Sequence, residues 1–435
     1  MQIYCDFLLP KIHMVIIMEK QSSLVFYGNG QETSSNIKNI DNYFSTYVKK
    51  KSIFKDKKVL SHAFMPGEVL HRDNELMKIS SILAPALRQY QPSNVFIYGS
   101  TGTGKTICVK MVLNQLNEAA AKNEVNIKTI YINCKMKKVA DTEYRLLAQM
   151  LNEINVEVPD TGLPTDVLYR RFFKEIDEHD QNVIIVLDEI DALVRKIGDE
   201  FLYNLTRINS ELSRSRLSFI GITNNLSFSN NLDARVKSSL GEEEIIFHPY
   251  NAVQLKDILR QRIDKAFYTN AVTPDAVSKC AAIAAQEHGD ARRALDLLRV
   301  AGEIAERYGM EEVLEEHIDM SEKKIDHDRV TETIKMLPGQ TKAVLYSIIN
   351  MVETNGDKVL TGDVFGHYKE TCVRNNLRYL TPRRVGDLIN ELDMLSIINT
   401  QVISKGRYGR TREIKLNIPE ASMEQTKKIL FPGFS

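Results

Sequence analysis

Cysteine is scarce and unpaired in this chain of 435 residues. Cys5, Cys108, Cys134, Cys280 and Cys372 form no C-x-x-C couple, which argues against a zinc site or a disulfide scaffold and fits a reducing compartment. Long apolar runs are missing too. The longest near the start, Met14 to Met18, falls well short of the roughly twenty residues that span a bilayer, and no convincing cleavage site follows it. A cytoplasmic protein without a membrane partner is expected. Net charge is absent: 57 basic residues balance 57 acidic ones, so any basic partner surface must be local. A hydrophobic fraction of 43% suits real cores, and the length predicts two or three domains.

One stretch organises the rest. Asn94 to Tyr98 reads as a buried strand and leads into Gly99-Ser100-Thr101-Gly102-Thr103-Gly104-Lys105-Thr106, then into a helix from Ile107. Strand, glycine loop and helix are the context that makes G-x-x-x-x-G-K-T a phosphate site. The glycines let backbone N–H groups turn inward, and the helix N-terminus adds partial positive charge. Lys105 can reach the β/γ-phosphates, and Thr106 can ligate Mg²⁺. The chain is therefore expected to bind ATP or GTP.

The sequence ahead of this loop is less informative. Residues 1–45 fit an extra strand, a loose tail or an over-long start. Pro66 and Gly67 imply an extended linker, either a plain connector or a cover for the nucleotide base. A helix follows from about Asp73 to Leu87. Beyond the loop, Lys128–Ile132 reads as a strand, and Thr142–Ile154 and Thr165–Glu178 as helices. Val183–Leu187 is a strand that ends in Asp188-Glu189. In a parallel sheet that end faces the nucleotide crevice. Asp188 is placed to hold Mg²⁺ through its water shell, and Glu189 to activate the attacking water. Gly198–Leu212 reads as one amphipathic helix flanked by Arg195, Lys196, Arg214 and Arg216. The strand Leu217–Thr223 ends in Asn224, either a turn residue or a hydrogen-bond partner of the attacking water or γ-phosphate. Arg235 is either a surface residue or a group that reaches a neighbour's γ-phosphate.

After Glu244–Phe247 the alternation stops. Val253–Tyr268, Pro274–Glu287 and Asp290–Arg307 predict an all-helical lid, with Thr273 and Pro274 starting its second helix. Arg292 or Arg293 points back at the phosphates. Met310–Asp328 is a polar connector with helix. Helices Gln340–Val352, Thr361–Leu377 and Thr381–Leu392 then precede two short strands, Leu395–Ile398 and Arg412–Leu416. Three helices and a hairpin with a basic tip (Lys405, Arg407, Arg410, Arg412) form a winged-helix pattern, which serves DNA or protein docking. As a DNA reader, the helix from Thr381 enters the major groove with Arg383 and Arg384. The wing adds phosphate contacts, and Tyr408 lies against sugar.

The assembled pattern resembles the archaeal replication initiators of the origin-recognition-complex large-subunit and cell-division-cycle-six type, which are AAA+ ATPases. The likeness spans roughly Ile53 to Ile418. It rests on Pro92–Gly99 running into the loop, Leu187-Asp-Glu-Ile-Asp-Ala-Leu193, Leu202–Asn209, Leu232–Leu240 and Gly289–Arg299. It implies an α/β P-loop core with a parallel sheet (53–248), a helical lid (249–325) and a winged-helix DNA-binding domain (326–435), after an extension (1–52). It further implies Asn224 and Arg292 as sensors, Arg235 as a finger acting on a neighbouring copy, and Arg72, Tyr250 and Arg262 as base- and nucleotide-contacting positions. Residues from about 195 to 216, with Arg195, Lys196 and Arg207, correspond to an insertion that enters the DNA minor groove. His248 stands where the family pattern has proline.

The expected function is origin recognition: ATP or ADP with Mg²⁺ switches binding of double-stranded origin repeats, by a weak ATPase that recruits the replicative helicase. A clamp-loader or transposition-helper machine, or an ATP-dependent winged-helix transcription regulator, uses the same motifs.

Overall fold

The computed structural model describes residues 51–430 except 137–139, 160–161, 241–242, 357–358, 405–409 and 419. The expectations for residues 1–45 lie outside the described residues.

Helix α1 (Asp73–Leu83) leads through a 3-10 turn to the first strand. The sheet comprises β1 (Val95–Gly99), β2 (Ile127–Asn133), β3 (Asn182–Asp188), β4 (Arg216–Thr223) and β5 (Glu243–Phe247). All pairings are parallel, in the order β2-β3-β4-β1-β5. β1 and β3 are buried along their whole length, which is why they read as continuous apolar runs rather than alternating ones. From β1 the chain crosses β4 and β3 to reach β2. The crevice at that reversal opens beyond the C-terminal ends of β1, β3 and β4.

Helix α2 (Lys105–Lys122) springs from the glycine loop. Helices α3 (Glu143–Glu153) and α4 (Thr165–Ile176) cover one face; Thr142 caps α3. The amphipathic helix expected over Gly198–Leu212 is instead two pieces. Helix α5 (Ile190–Ile197) ends at Gly198, whose φ of +85° no ordinary residue adopts comfortably, and α6 (Glu200–Arg207) restarts after it. Helix α7 (Ala234–Leu240) follows β4.

The lid consists of α8 (Ala252–Ala266), α9 (Pro274–Gln286) and α10 (Ala291–Tyr308). Asn251, Thr273 and Asp290 cap them through their side chains. The linker ahead of α1 belongs to this unit's core: Ile53, Phe54, Val59 and Leu60 pack with Leu255, Leu259, Leu297 and Leu298. Lys57–Glu303 (2.6 Å), His62–Asp296 (2.9 Å) and His71–Asp257 (3.0 Å) pin it from outside.

A single helix, α11 (Glu315–Met336), replaces the polar connector. Ile318 near its start is buried in the lid core, and Ile334 near its end in the winged-helix core. The boundary expected at 325/326 falls inside it. Its middle, Glu322 to Thr333, lacks an apolar stripe, so hydrophobic periodicity is silent there.

The last unit holds α12 (Gly339–Asn355), β6 (Val359–Leu360), α13 (Thr361–Arg374), α14 (Pro382–Met394), β7 (Ile398–Ser404), β8 (Arg410–Leu416) and α15 (Glu420–Leu430). The strands pair antiparallel in the order β6-β8-β7. The first wing strand was expected from Leu395; it begins at Ile398, because Leu395 caps α14 and Ser396 turns with φ +57°. Helix α14 buries Val385, Leu388, Ile389 and Leu392, each contributing about 1.5–3 kcal/mol.

Candidate nucleotide site and nucleic-acid interface

The C-terminal ends of β1, β3 and β4 deliver the glycine loop, Asp188 and Asn224 to one cavity of about 280 Å³. The linker closes one wall with Phe64 and Met65, and the lid another with Arg262, Arg292 and Leu295. Lys105, buried, donates to Gly99 O (2.8 Å), Ser100 O (2.8 Å) and Asn224 Oδ1 (2.7 Å). Burial, and to a smaller degree Arg292, brings its pKa down from 10.5 to about 8, while Asp188, Glu189 and Asp290 oppose the fall. Thr103, also buried, donates its hydroxyl to Ser100 O at 2.8 Å, and Thr101 faces the cavity.

Thr106 Oγ1 donates to Asp188 Oδ2 at 2.8 Å, and Tyr131 Oη donates to the same oxygen at 2.6 Å. One carboxylate and one hydroxyl side by side suit Mg²⁺, which keeps several waters. Among the described residues no cluster of three or more His, Cys, Asp or Glu side chains could hold another metal. Glu189 adopts left-handed backbone (φ +56°) and pairs with Lys135 at 3.3 Å.

The glycine loop and lid touch directly. Ala291 N–H donates to Gly102 O (3.2 Å), and a Cβ on Gly102 would lie 1.6 Å from Asp290 Oδ1. Gly102 also has φ +73°, so glycine is required there twice over. Gly104, at φ +93°, precedes α2. Between the two lid arginines the geometry decides: Arg292 lines the cavity, whereas Arg293 is held by Glu287 (2.7 Å) and Asp326 (2.7 Å).

Three positions expected at the base or nucleotide part company. Tyr250 lines the cavity. Arg262 lines it as well; its Nε and Nη1 are buried without a hydrogen-bond partner, and its guanidinium lies 4.7 Å from the Phe64 ring. Burial alone lowers its pKa. A cavity carrying orphaned donors fits an anionic or acceptor-rich ligand. Arg72 stands behind the loop. It donates to Thr103 O (3.0 Å), His248 O (2.5 Å) and Glu75 (3.0 Å), and it stacks 4.0 Å from the Tyr250 ring centre. Its donors are committed to the protein, because a buried guanidinium must be paired. Position 248 contributes only its carbonyl, so histidine serves where proline was expected.

Arg235 lies outside the cavity, exposed and paired with Asp233 at 3.1 Å. It shares a surface cleft with Tyr203 and Arg207, and Arg207 donates to Tyr203 Oη at 2.8 Å. Arg195 pairs with Asp191 (2.9 Å) and Lys196 with Asp141 (2.8 Å). In the winged helix, Thr381 Oγ1 accepts from Arg384 N–H, and Arg383 and Arg384 are exposed at the start of α14. Arg412 on β8 donates to Asn390 Oδ1 of α14, joining wing to helix. Arg410 opens β8, while Lys405, Arg407 and Tyr408 lie outside the described residues.

Family models match in the same order as these units: an AAA domain over residues 88–227, a Cdc6 AAA+ ATPase-type lid domain over 256–323, and a CDC6 C-terminal winged-helix domain over 332–426. The ORC1-type DNA replication protein of Pyrococcus abyssi is 51% identical over 384 residues, 87% of this chain and 91% of the relative. The chain belongs to the ORC1-type DNA replication protein family. The ORC1-type DNA replication protein 1 of Methanosarcina mazei is 48% identical over 91% of this chain and 94% of its own length. Among solved structures, the Aeropyrum pernix ORC1 protein in complex with DNA is 45% identical, covers 87% of this chain and 97% of that one, and superposes with a TM-score of 0.76. The AAA+ core makes this ORC1-type protein a nucleotide binder. No described helix is long and apolar enough to cross a membrane.

Motif spacing missed four residues of the ORC1-type site. Lys110 lies one helical turn beyond Thr106, faces the cavity and sits 4.2 Å over the Tyr131 ring. That i, i+4 relation was available as a signal. Asp290, Tyr131 and Lys135 reach the site only through the fold.

Proposed function

We propose that this protein is an ATP-loaded replication initiator that grips origin duplex with two elements, the 195–216 segment and the winged helix. One observation carries this: the glycine loop, Asp188, the linker and the lid all line a single cavity. A nucleotide bound there touches both rigid halves and so fixes the angle between them. Lys105 holds the β/γ-phosphates in place of the carbonyl and amide oxygens it now contacts. Thr106 and Asp188 hold Mg²⁺, which would supply charge neutralisation at the phosphates. Glu189 accepts a proton from water positioned with Asn224, Arg292 faces the γ-phosphate from the lid, and Arg262 meets the base or ribose side. Arg235, turned outward, serves a neighbouring copy. Hydrolysis is slow and acts as a switch.

Arg383 and Arg384 enter the major groove, with Arg410 and Arg412 at the wing, as the DNA complex of the A. pernix relative supports for this fold. Replicative helicase is recruited once both elements are seated. Footprinting on the protein's own genome, with ATP and with ADP, tests the proposal. Protection of one or two origin regions that depends on nucleotide is expected. Protection scattered over many promoters overturns it.

A further inference from the structure

Asp191 has no place in the nucleotide site or on the DNA face, yet it touches both. It sits in the first turn of α5, two residues after Glu189. Its Oδ1 accepts from Thr223 Oγ1 at 3.1 Å, and its Oδ2 accepts from Arg195 at 2.9 Å. Thr223 is fully buried at the end of β4, directly before Asn224, whose Oδ1 accepts from Lys105. The Thr223 hydroxyl also accepts from Asn225 N–H at 3.0 Å, so it fixes the turn that presents Asn224. Asp191 is mostly shielded, with 18% of its side chain exposed, while Arg195 is 75% exposed. One carboxylate thus joins the γ-phosphate end of the cavity to an arginine that our functional proposal puts on DNA.

We infer that Asp191 is a positioning residue through which DNA occupancy is felt at the hydrolytic site; this rests on the duplex binding proposed above. A solvent-exposed i, i+4 ion pair is weak, and a DNA phosphate competes for the guanidinium with charge-assisted, bidentate bonds. When Arg195 turns to a phosphate, Asp191 loses its cation. The uncompensated carboxylate then lies beside Asp188 and Glu189, where hydrolysis develops negative charge. That charge raises the barrier. DNA therefore slows hydrolysis and prolongs the ATP-bound state, and no covalent step beyond ATP hydrolysis is involved.

The test is single-turnover ATP hydrolysis by the full chain, with and without saturating origin duplex, alongside duplex affinity measured separately. The native protein is expected to slow by roughly threefold on duplex, the size of effect a weak surface charge pair supports. Asp191→Asn keeps the shape and an acceptor for Thr223 but carries no charge to uncover, so its ratio should be close to one. Thr223→Val, which fits the same buried space without the hydroxyl, should also blunt the ratio. An unchanged or faster native rate on duplex, or slowing that persists in Asp191→Asn, overturns the inference. Absence of duplex binding by the native protein overturns the functional proposal as well, so the two failures are distinct.

Discussion

Lys105 makes the nucleotide site sensitive to pH. Its pKa in the free cavity is about 8, well below the ordinary lysine value, chiefly because it is buried. Phosphate oxygens favour its charged form, so bound nucleotide raises the pKa again. By linkage, binding takes up protons near and above pH 8, and affinity falls as pH climbs through that value. Calorimetry at pH 8.5 in buffers of different ionisation enthalpy should show proton uptake, and Lys105→Ala should abolish nucleotide binding; a buffer-independent heat for the native protein would refute the assignment. Arg72 calls for a different result. Because it ties the glycine loop, His248 O and Glu75 together from behind, Arg72→Ala should lower stability by about 3 kcal/mol, the scale of breaking a buried pair. Bound nucleotide should then restore part of the lost melting temperature. A variant that melts normally and only loses nucleotide affinity would return Arg72 to the ligand.

At the scale of elements, α14 is both capped and charged at its N-terminus. Thr381→Ala removes the side-chain acceptor for Arg384 N–H and should cost about 1 kcal/mol. Arg383→Ala with Arg384→Ala should weaken duplex binding and lower the slope of log affinity against log salt by about 2. An unchanged slope in a salt titration would remove α14 from the interface. Elements like this were legible because cap, Pro382 and apolar spacing agree. The glycine loop, β3 with Asp188 and the lid helices were legible for the same reason. Where they disagreed, the sequence misled. Gly198 splits what looks like one amphipathic helix into α5 and α6. Ser396 and Leu395 look like strand but finish a helix. Arg72 and Arg262 carry the same side chain, yet one is wholly paired and the other has two orphaned donors, a difference set by tertiary neighbours alone. Tyr131 is similarly silent: only β2–β3 pairing brings it to Asp188.

Across the whole molecule, α11 decides how far a nucleotide can be felt. It runs 22 residues without a break, about 33 Å. One end is packed in the lid core and the other in the winged-helix core. A lid rotated by ligand therefore carries α14 with it, whereas a flexible tether would dissipate the movement. Two DNA contacts gain avidity only when both can be engaged at once, so a rigid α11 turns lid angle into duplex affinity. The native protein should bind origin duplex with different affinity when empty, ADP-loaded and ATP-loaded. Inserting two glycines after Asp328, between the buried ends, costs helix stability locally but leaves the cavity residues and α14 in place. That variant should still bind ATP by calorimetry and should still bind duplex. Its affinities in the three nucleotide states should converge, measured by fluorescence anisotropy at one salt concentration. If the glycine variant kept the native spread, the lid angle would have to reach the DNA by some path other than this helix. The 195–216 segment, which stands on the core and not on the lid, would then be the element that answers to nucleotide.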